Sequence, residues 1–111
     1  MNKDIKYIDL LIISDQYIEQ DLLEGLEYMI LPDIEFISPF KGSYKDQIIE
    51  FDKLITTDKL LNNAMREDGY LITNESFETS FDGYFAIGNA VKSNKSFSEQ
   101  LEIVLDYIKG N

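Results

Sequence analysis

Residues Tyr7 to Ile13, YIDLLII, form an almost unbroken apolar run near the start of the sequence. A strand with one wet face alternates apolar and polar side chains, so a run this even reads as a strand buried on both faces. Such a strand needs covering layers above and below its sheet. That requirement points to an α/β fold whose later segments return across the sheet.

The segments that follow supply candidates for those layers. SDQ interrupts the run, and Ser14 or Asp15 stands where a helix cap is needed. Ile18, Leu22, Leu26, Met29 and Ile30 then fall at helical spacing, which predicts a helix over Tyr17–Ile30. Glu19, Asp21, Glu24 and Glu27 populate its other side as a solvated charged face. Pro32 ends it, and IEFIS, Ile34–Ser38, reads as the second strand of a β-α-β unit with a parallel, right-handed crossover. PFKGSYKDQ, residues 39–47, is turn-rich, and IIEFDKLITT supplies one or two short strands centred on Lys53–Thr56.

Thr57 caps a short predicted helix, Asp58 to Arg66; EDGYLIT gives a turn and a brief strand, and Tyr84–Ile87 another. Ser96 and Glu99 form a capping box, after which Phe97, Leu101, Val104, Leu105 and Ile108 line one helical face up to a stop at Gly110. The expected fold is therefore a single α/β domain, residues 1–111. It has a β-α-β start, a small, mostly parallel sheet flanked by helices, a closing strand and a C-terminal helix. A chain of 111 residues buries enough surface to fold without disulfides or metal.

Composition removes whole classes of chemistry. The chain has no cysteine and no histidine. Disulfides, thiolate metal sites, thiol catalysis and the Ser-His-Asp and Cys-His arrangements are thereby excluded. The net charge is −11, from 21 acidic and 10 basic side chains. Nucleic acids and anionic membranes both call for Lys and Arg, so neither is expected as a partner. There is no apolar run near the roughly 20 residues of a membrane span, and MNKDIKYIDLLIIS lacks a signal-peptide cleavage pattern. The expected location is the cytoplasm, and the Ile-, Lys-, Asn-, Asp- and Tyr-rich composition is compatible with an AT-rich bacterial source.

One stretch carries more specific information. SFETSFDGYFAIGNAV, residues 76–91, is a hairpin-like approach to a strand that ends on a glycine. Gly69-Tyr70-Leu71, Thr79-Ser80, Gly83-Tyr84-Phe85-Ala86, Gly88 and Gln100 stand in order over about 40 residues from Asp68 to Ile108. This pattern resembles the C-terminal end of thioredoxin-reductase-like flavoproteins, which read G-Y-I, then T-S-V-P-G-[VIL]-F-A-A-G-D, then R-Q opening a helix. Upstream, FDKLITT and the strand–helix–strand layout of residues 8–38 are similar to parts of the same family. The resemblance implies a contracted C-terminal portion of a reductase, whose closing strand and helix belong to an FAD domain. It implies Gly88, Asn89 and Gln100 as the cofactor-binding positions.

The departures bear on function. The six glycines, at 25, 42, 69, 83, 88 and 110, form no G-x-G-x-x-G turn of the kind that lets a backbone approach a pyrophosphate. The family's redox C-x-x-C is absent with cysteine. Asn89 stands where the family's aspartate grips a ribityl hydroxyl, and Glu99 where it has arginine.

The expectation is a non-catalytic, thioredoxin-reductase-like protein that acts as a protein-binding or regulatory module. Its partner would be another protein, such as a flavoprotein reductase or its redox partner, and homo-oligomerisation stays open. No catalytic and no metal-binding residues are expected. The alternatives are an accessory subunit completing a flavin or nucleotide site in an oxidoreductase complex, and a small α/β regulator without a redox link. FAD enters only the shared-site alternative; none is expected on the isolated chain.

Overall fold

The computed structural model describes residues 4–57 and 66–110. In chain order the strands are β1 Ile5–Ile13, β2 Tyr28–Leu31, β3 Glu35–Ser38, β4 Lys41–Tyr44, β5 Gln47–Thr56, β6 Arg66–Glu67, β7 Tyr70–Leu71 and β8 Tyr84–Ala86. Among the described residues there is one α-helix, α1 Phe97–Lys109, and 3-10 turns span Gln20–Leu23 and Gly88–Ala90. The class is α/β: a six-stranded mixed sheet in the order β2-β1-β5-β4-β3, with β8 added to β5, and a C-terminal helix. The helix expected over Asp58–Arg66 lies outside the described residues except for Arg66, which opens β6.

The apolar run is buried on both faces only over its later part, and Tyr7 and Asp9 within it are exposed. Leu10, Leu11 and Ile12 are all fully buried, so both faces of β1 are covered at its C-terminal end. Parallel neighbours flank it, β2 on one side and β5 on the other.

The helix expected over Tyr17–Ile30 does not form. A single 3-10 turn occupies Gln20–Leu23, and Gly25 then takes φ +90, a conformation that glycine reaches without a Cβ penalty. The Glu27 carbonyl accepts from both the Asp9 and Leu10 N–H, at 2.8 and 3.1 Å, and the next four residues run on as β2. Tyr28–Leu31 is a continuous apolar segment, and pairing it with β1 satisfies its backbone and buries Leu31. Tertiary pairing overrides the helical spacing. The next strand in the chain to pair parallel with β1 is therefore β2, whereas the expected second strand, β3, lies at the far end of the sheet and pairs antiparallel with β4.

Turn chemistry sets the rest. β4 and β5 form a hairpin across Lys45 and Asp46, both with positive φ (46° and 66°) as a tight two-residue turn demands. β6 and β7 repeat the device across Asp68-Gly69. The long strand β5 is the hub. One edge pairs with β1 throughout; the other pairs antiparallel with β4 over residues 47–50 and parallel with β8 over residues 54–56.

Candidate functional site

The stretch that carries the resemblance is a self-contained corner. Asn74 Oδ1 accepts from the Ser76 and Glu78 N–H groups at 2.9 and 3.0 Å, and the Glu78 carboxylate accepts from the Gly83 N–H at 2.7 Å. The Thr79 hydroxyl accepts from the Phe81 N–H at 3.1 Å, and Glu78 bridges antiparallel to Phe85. The hairpin-like approach is thus built from local side-chain-to-backbone bonds, the usual use of Asn, Thr and Glu in turns. It delivers β8 onto β5, and the Ile87 N–H extends the ladder to the Thr56 carbonyl at 3.0 Å.

Beyond Ile87 the chain turns at Gly88, whose φ is +65. A Cβ there would meet the Phe97 ring at 3.1 Å, so glycine is needed for both its conformation and its contact. The Gly88 N–H donates to Gln100 Oε1 at 2.8 Å, and Gln100 Nε2 donates to the Lys95 carbonyl at 2.8 Å. Gln100 is buried, at 4% exposure. One amide therefore ties the end of β8 to the loop that enters α1.

Two of the three expected cofactor positions, Gly88 and Gln100, come together through a hydrogen bond. Asn89 is exposed on the 3-10 turn between them. Glu99 is exposed in the first turn of α1, where Ser96 accepts from its N–H at 3.2 Å and donates to its carboxylate at 3.2 Å. A carboxylate at a helix N-terminus is favoured by the helix dipole. Leu101, Val104 and Leu105 are buried, with Phe97 and Ile108 packed beside them, as the spacing predicts.

Sequence reading missed an aromatic cluster where the edge of β5 changes partner. Phe36, Phe40, Phe51, Phe81 and Tyr84 meet there, with neighbouring ring centroids 5.5–6.5 Å apart. The Tyr84 hydroxyl donates to the Pro39 carbonyl, and burial pushes its pKa above the ordinary 10.0. The rings plug the gap opened when β4 gives way to β8. Nothing local in the sequence signals this, because the contacts span three separate segments.

A second surface also escaped notice. The register pairs Tyr7 with Glu50, and Asp9 and Asp52 fall between the Ile8–Phe51 and Leu10–Lys53 pairs, beyond the length of β1 that β2 flanks. The signal is present as Y-x-D in one strand and E-x-D in the other, but it becomes visible only once the two strands are aligned.

The acidic residues Glu19, Asp21, Glu24 and Glu27 are all exposed. Among the described residues no helix is long and apolar enough to cross a membrane.

No family model and no curated protein sequence matches this chain. Among solved structures it is similar to a ferredoxin-flavin thioredoxin reductase from Clostridium acetobutylicum, at 16% identity and a TM-score of 0.39. The match covers 95% of this chain and 49% of that one, so the chain spans about half the reductase's length.

Proposed function

We propose that this chain is a non-catalytic, protein-binding module on a thioredoxin-reductase-like scaffold, serving a redox system. The observation that carries this reading is the corner at Gly88. A glycine turn that serves a cofactor leaves its N–H free and its approach open. Here the N–H is taken by Gln100, and the Phe97 ring fills the approach. Both features support a corner that serves the fold and not a flavin. The absence of cysteine and histidine supports the same reading.

Titration of the purified chain with FAD and with NADPH tests it. Binding weaker than micromolar is expected for both; micromolar or tighter binding corresponds to about 8 kcal/mol and would overturn the reading.

Asn89 favours a second reading, because it is exposed beside Gly88. If a flavin site were shared with a partner, Asn89→Asp with Glu99→Arg would restore a charge-assisted bond and remove an anion. Flavin retained by the double variant mixed with a co-purified partner, seen in the absorption spectrum, would favour the shared site over the non-catalytic module.

A further inference from the structure

The sequence reads Asp-Gly-Tyr twice, at residues 68–70 and 82–84. An aspartate before glycine is prone to rearrange, because glycine carries no side chain to keep its nitrogen from the neighbouring carboxyl carbon. The tripeptide is the same at both places, so a difference in reactivity has to come from the fold.

The 82–84 site is pinned. The Gly83 N–H donates to the Glu78 carboxylate at 2.7 Å, and the Gly83 carbonyl accepts from the Leu54 N–H at 2.9 Å. Gly83 is buried, and a Cβ there would meet the Phe40 ring at 3.2 Å. Its nitrogen reaches the Asp82 carboxyl carbon only if the peptide between them rotates, which breaks the bond to Glu78 inside a packed corner.

The 68–70 site is open. Asp68 and Gly69 are exposed at the tip of the β6–β7 hairpin, with φ +54 and +82. A Cβ on Gly69 would meet nothing within 4 Å, and among the described residues its N–H has no hydrogen-bond partner. The Asp68 carboxylate pairs with Lys92 at 3.8 Å, but both side chains are about three-quarters exposed, at 72% and 74%, so solvent screens the pair and it opens readily. β6 and β7 form a two-stranded sheet of their own with two register pairs, and so short a ladder opens locally at little cost. The hairpin and Lys92 frame a hollow of about 280 Å³ through which water reaches the turn.

We propose that Asp68 is a site of spontaneous covalent modification, where the link to Gly69 becomes an isoaspartyl link, and that folding spares Asp82. The Gly69 nitrogen attacks the Asp68 carboxyl carbon and closes a five-membered succinimide. One carboxyl oxygen leaves as water, with the amide proton and one proton from solvent. A water molecule then opens the ring. Opening at the side-chain carbonyl returns aspartate, whereas opening at the main-chain carbonyl leaves Gly69 joined through the side chain and frees a carboxylate on the Asp68 main chain. The product adds one main-chain atom to a two-residue turn, so Glu67 and Tyr70 lose their register and the carboxylate moves away from Lys92.

The test keeps the full chain for weeks in warm neutral buffer, one sample folded and one in concentrated guanidinium chloride. Peptides from each are read by electron-transfer fragmentation, which cleaves within a β-linked residue and so separates it from aspartate of equal mass. In denaturant the two sites are expected to react alike. In the folded chain Asp68 is expected to stay within threefold of its denatured rate while Asp82 slows at least tenfold. Equal modification of the two sites in the folded chain, more at Asp82, or none at Asp68 would each overturn the proposal. In Glu78→Ala the Gly83 N–H loses its acceptor, and modification of Asp82 in the folded chain is expected to rise at least threefold; no rise would overturn the pinning that sets the two sites apart.

Discussion

Gln100 offers a direct test of whether the Gly88 corner is structural. In Gln100→Ala the Gly88 N–H loses its acceptor inside a half-buried turn, which costs about 1 to 3 kcal/mol. The Lys95 carbonyl also loses its donor, but Lys95 is exposed and water replaces it at little cost. Alanine's helix propensity offsets about 0.5 kcal/mol. The net loss is about 1.5 kcal/mol, or roughly 1 M in the urea midpoint for a chain this size. Far-UV circular dichroism during urea unfolding measures it. Gln100→Glu sharpens the test, because its carboxylate still accepts from Gly88 but cannot donate to Lys95. It is expected to be less stable than alanine at neutral pH, because it buries an unpaired carboxylate against the Lys95 carbonyl, and to approach the parent on acidification, as the protonated carboxyl regains a donor. An alanine variant within about 0.5 kcal/mol of the parent would refute the clamp and return Gln100 to the surface as a residue available to a ligand.

Three further outcomes are expected. Leu101→Ala or Leu105→Ala, each removing a buried side chain from α1, costs about 2 to 5 kcal/mol in denaturant unfolding; unchanged midpoints would mean the helix packs by another face. Gly88→Ala costs about 1 to 3 kcal/mol, because it places a Cβ in left-handed backbone against the Phe97 ring; a neutral outcome would show that the turn readily rearranges. Spectrophotometric titration should show one tyrosine ionising above the ordinary 10.0, lost in Tyr84→Phe. A raised folded pKa for an acid means that stability is full below the unfolded value and falls as pH rises through the folded one, so unfolding at pH 10 and above should be less pH-dependent in the variant.

How much the sequence revealed differs by element. The capping box, apolar stripe and end of α1 were all legible, since each depends on residues within one or two turns. The burial of Leu10, Leu11 and Ile12 was legible from the unbroken run, but the exposure of Tyr7 and Asp9 in the same run was not, because it depends on where β2 and the covering segments stop. The segment after it was not, because Ile18, Leu22 and Leu26 satisfy a helix period locally, whereas Gly25 and pairing with β1 decide the outcome. At the candidate site, Gly88 and Gln100 could be singled out by resemblance, but their mutual hydrogen bond depends on α1 packing against the end of β8. The aromatic plug and the surface shared by Tyr7, Asp9, Glu50 and Asp52 needed the complete strand order.

The divided edge of β5 also bears on how the molecule opens. Because β4 and β8 occupy different lengths of that edge, the β3–β4 hairpin can peel away without breaking a bond between β5 and β8. Every residue of β3 is exposed, whereas β8 is wholly buried, so the two halves differ in what holds them. Amide hydrogen exchange should therefore divide along β5: fast, locally opening protons in the hairpin, and protons in β1, β8 and the later half of β5 that exchange only on global unfolding. The aromatic plug sits on that boundary, with Phe36 and Phe40 in the half that opens first and Tyr84 in the half that does not.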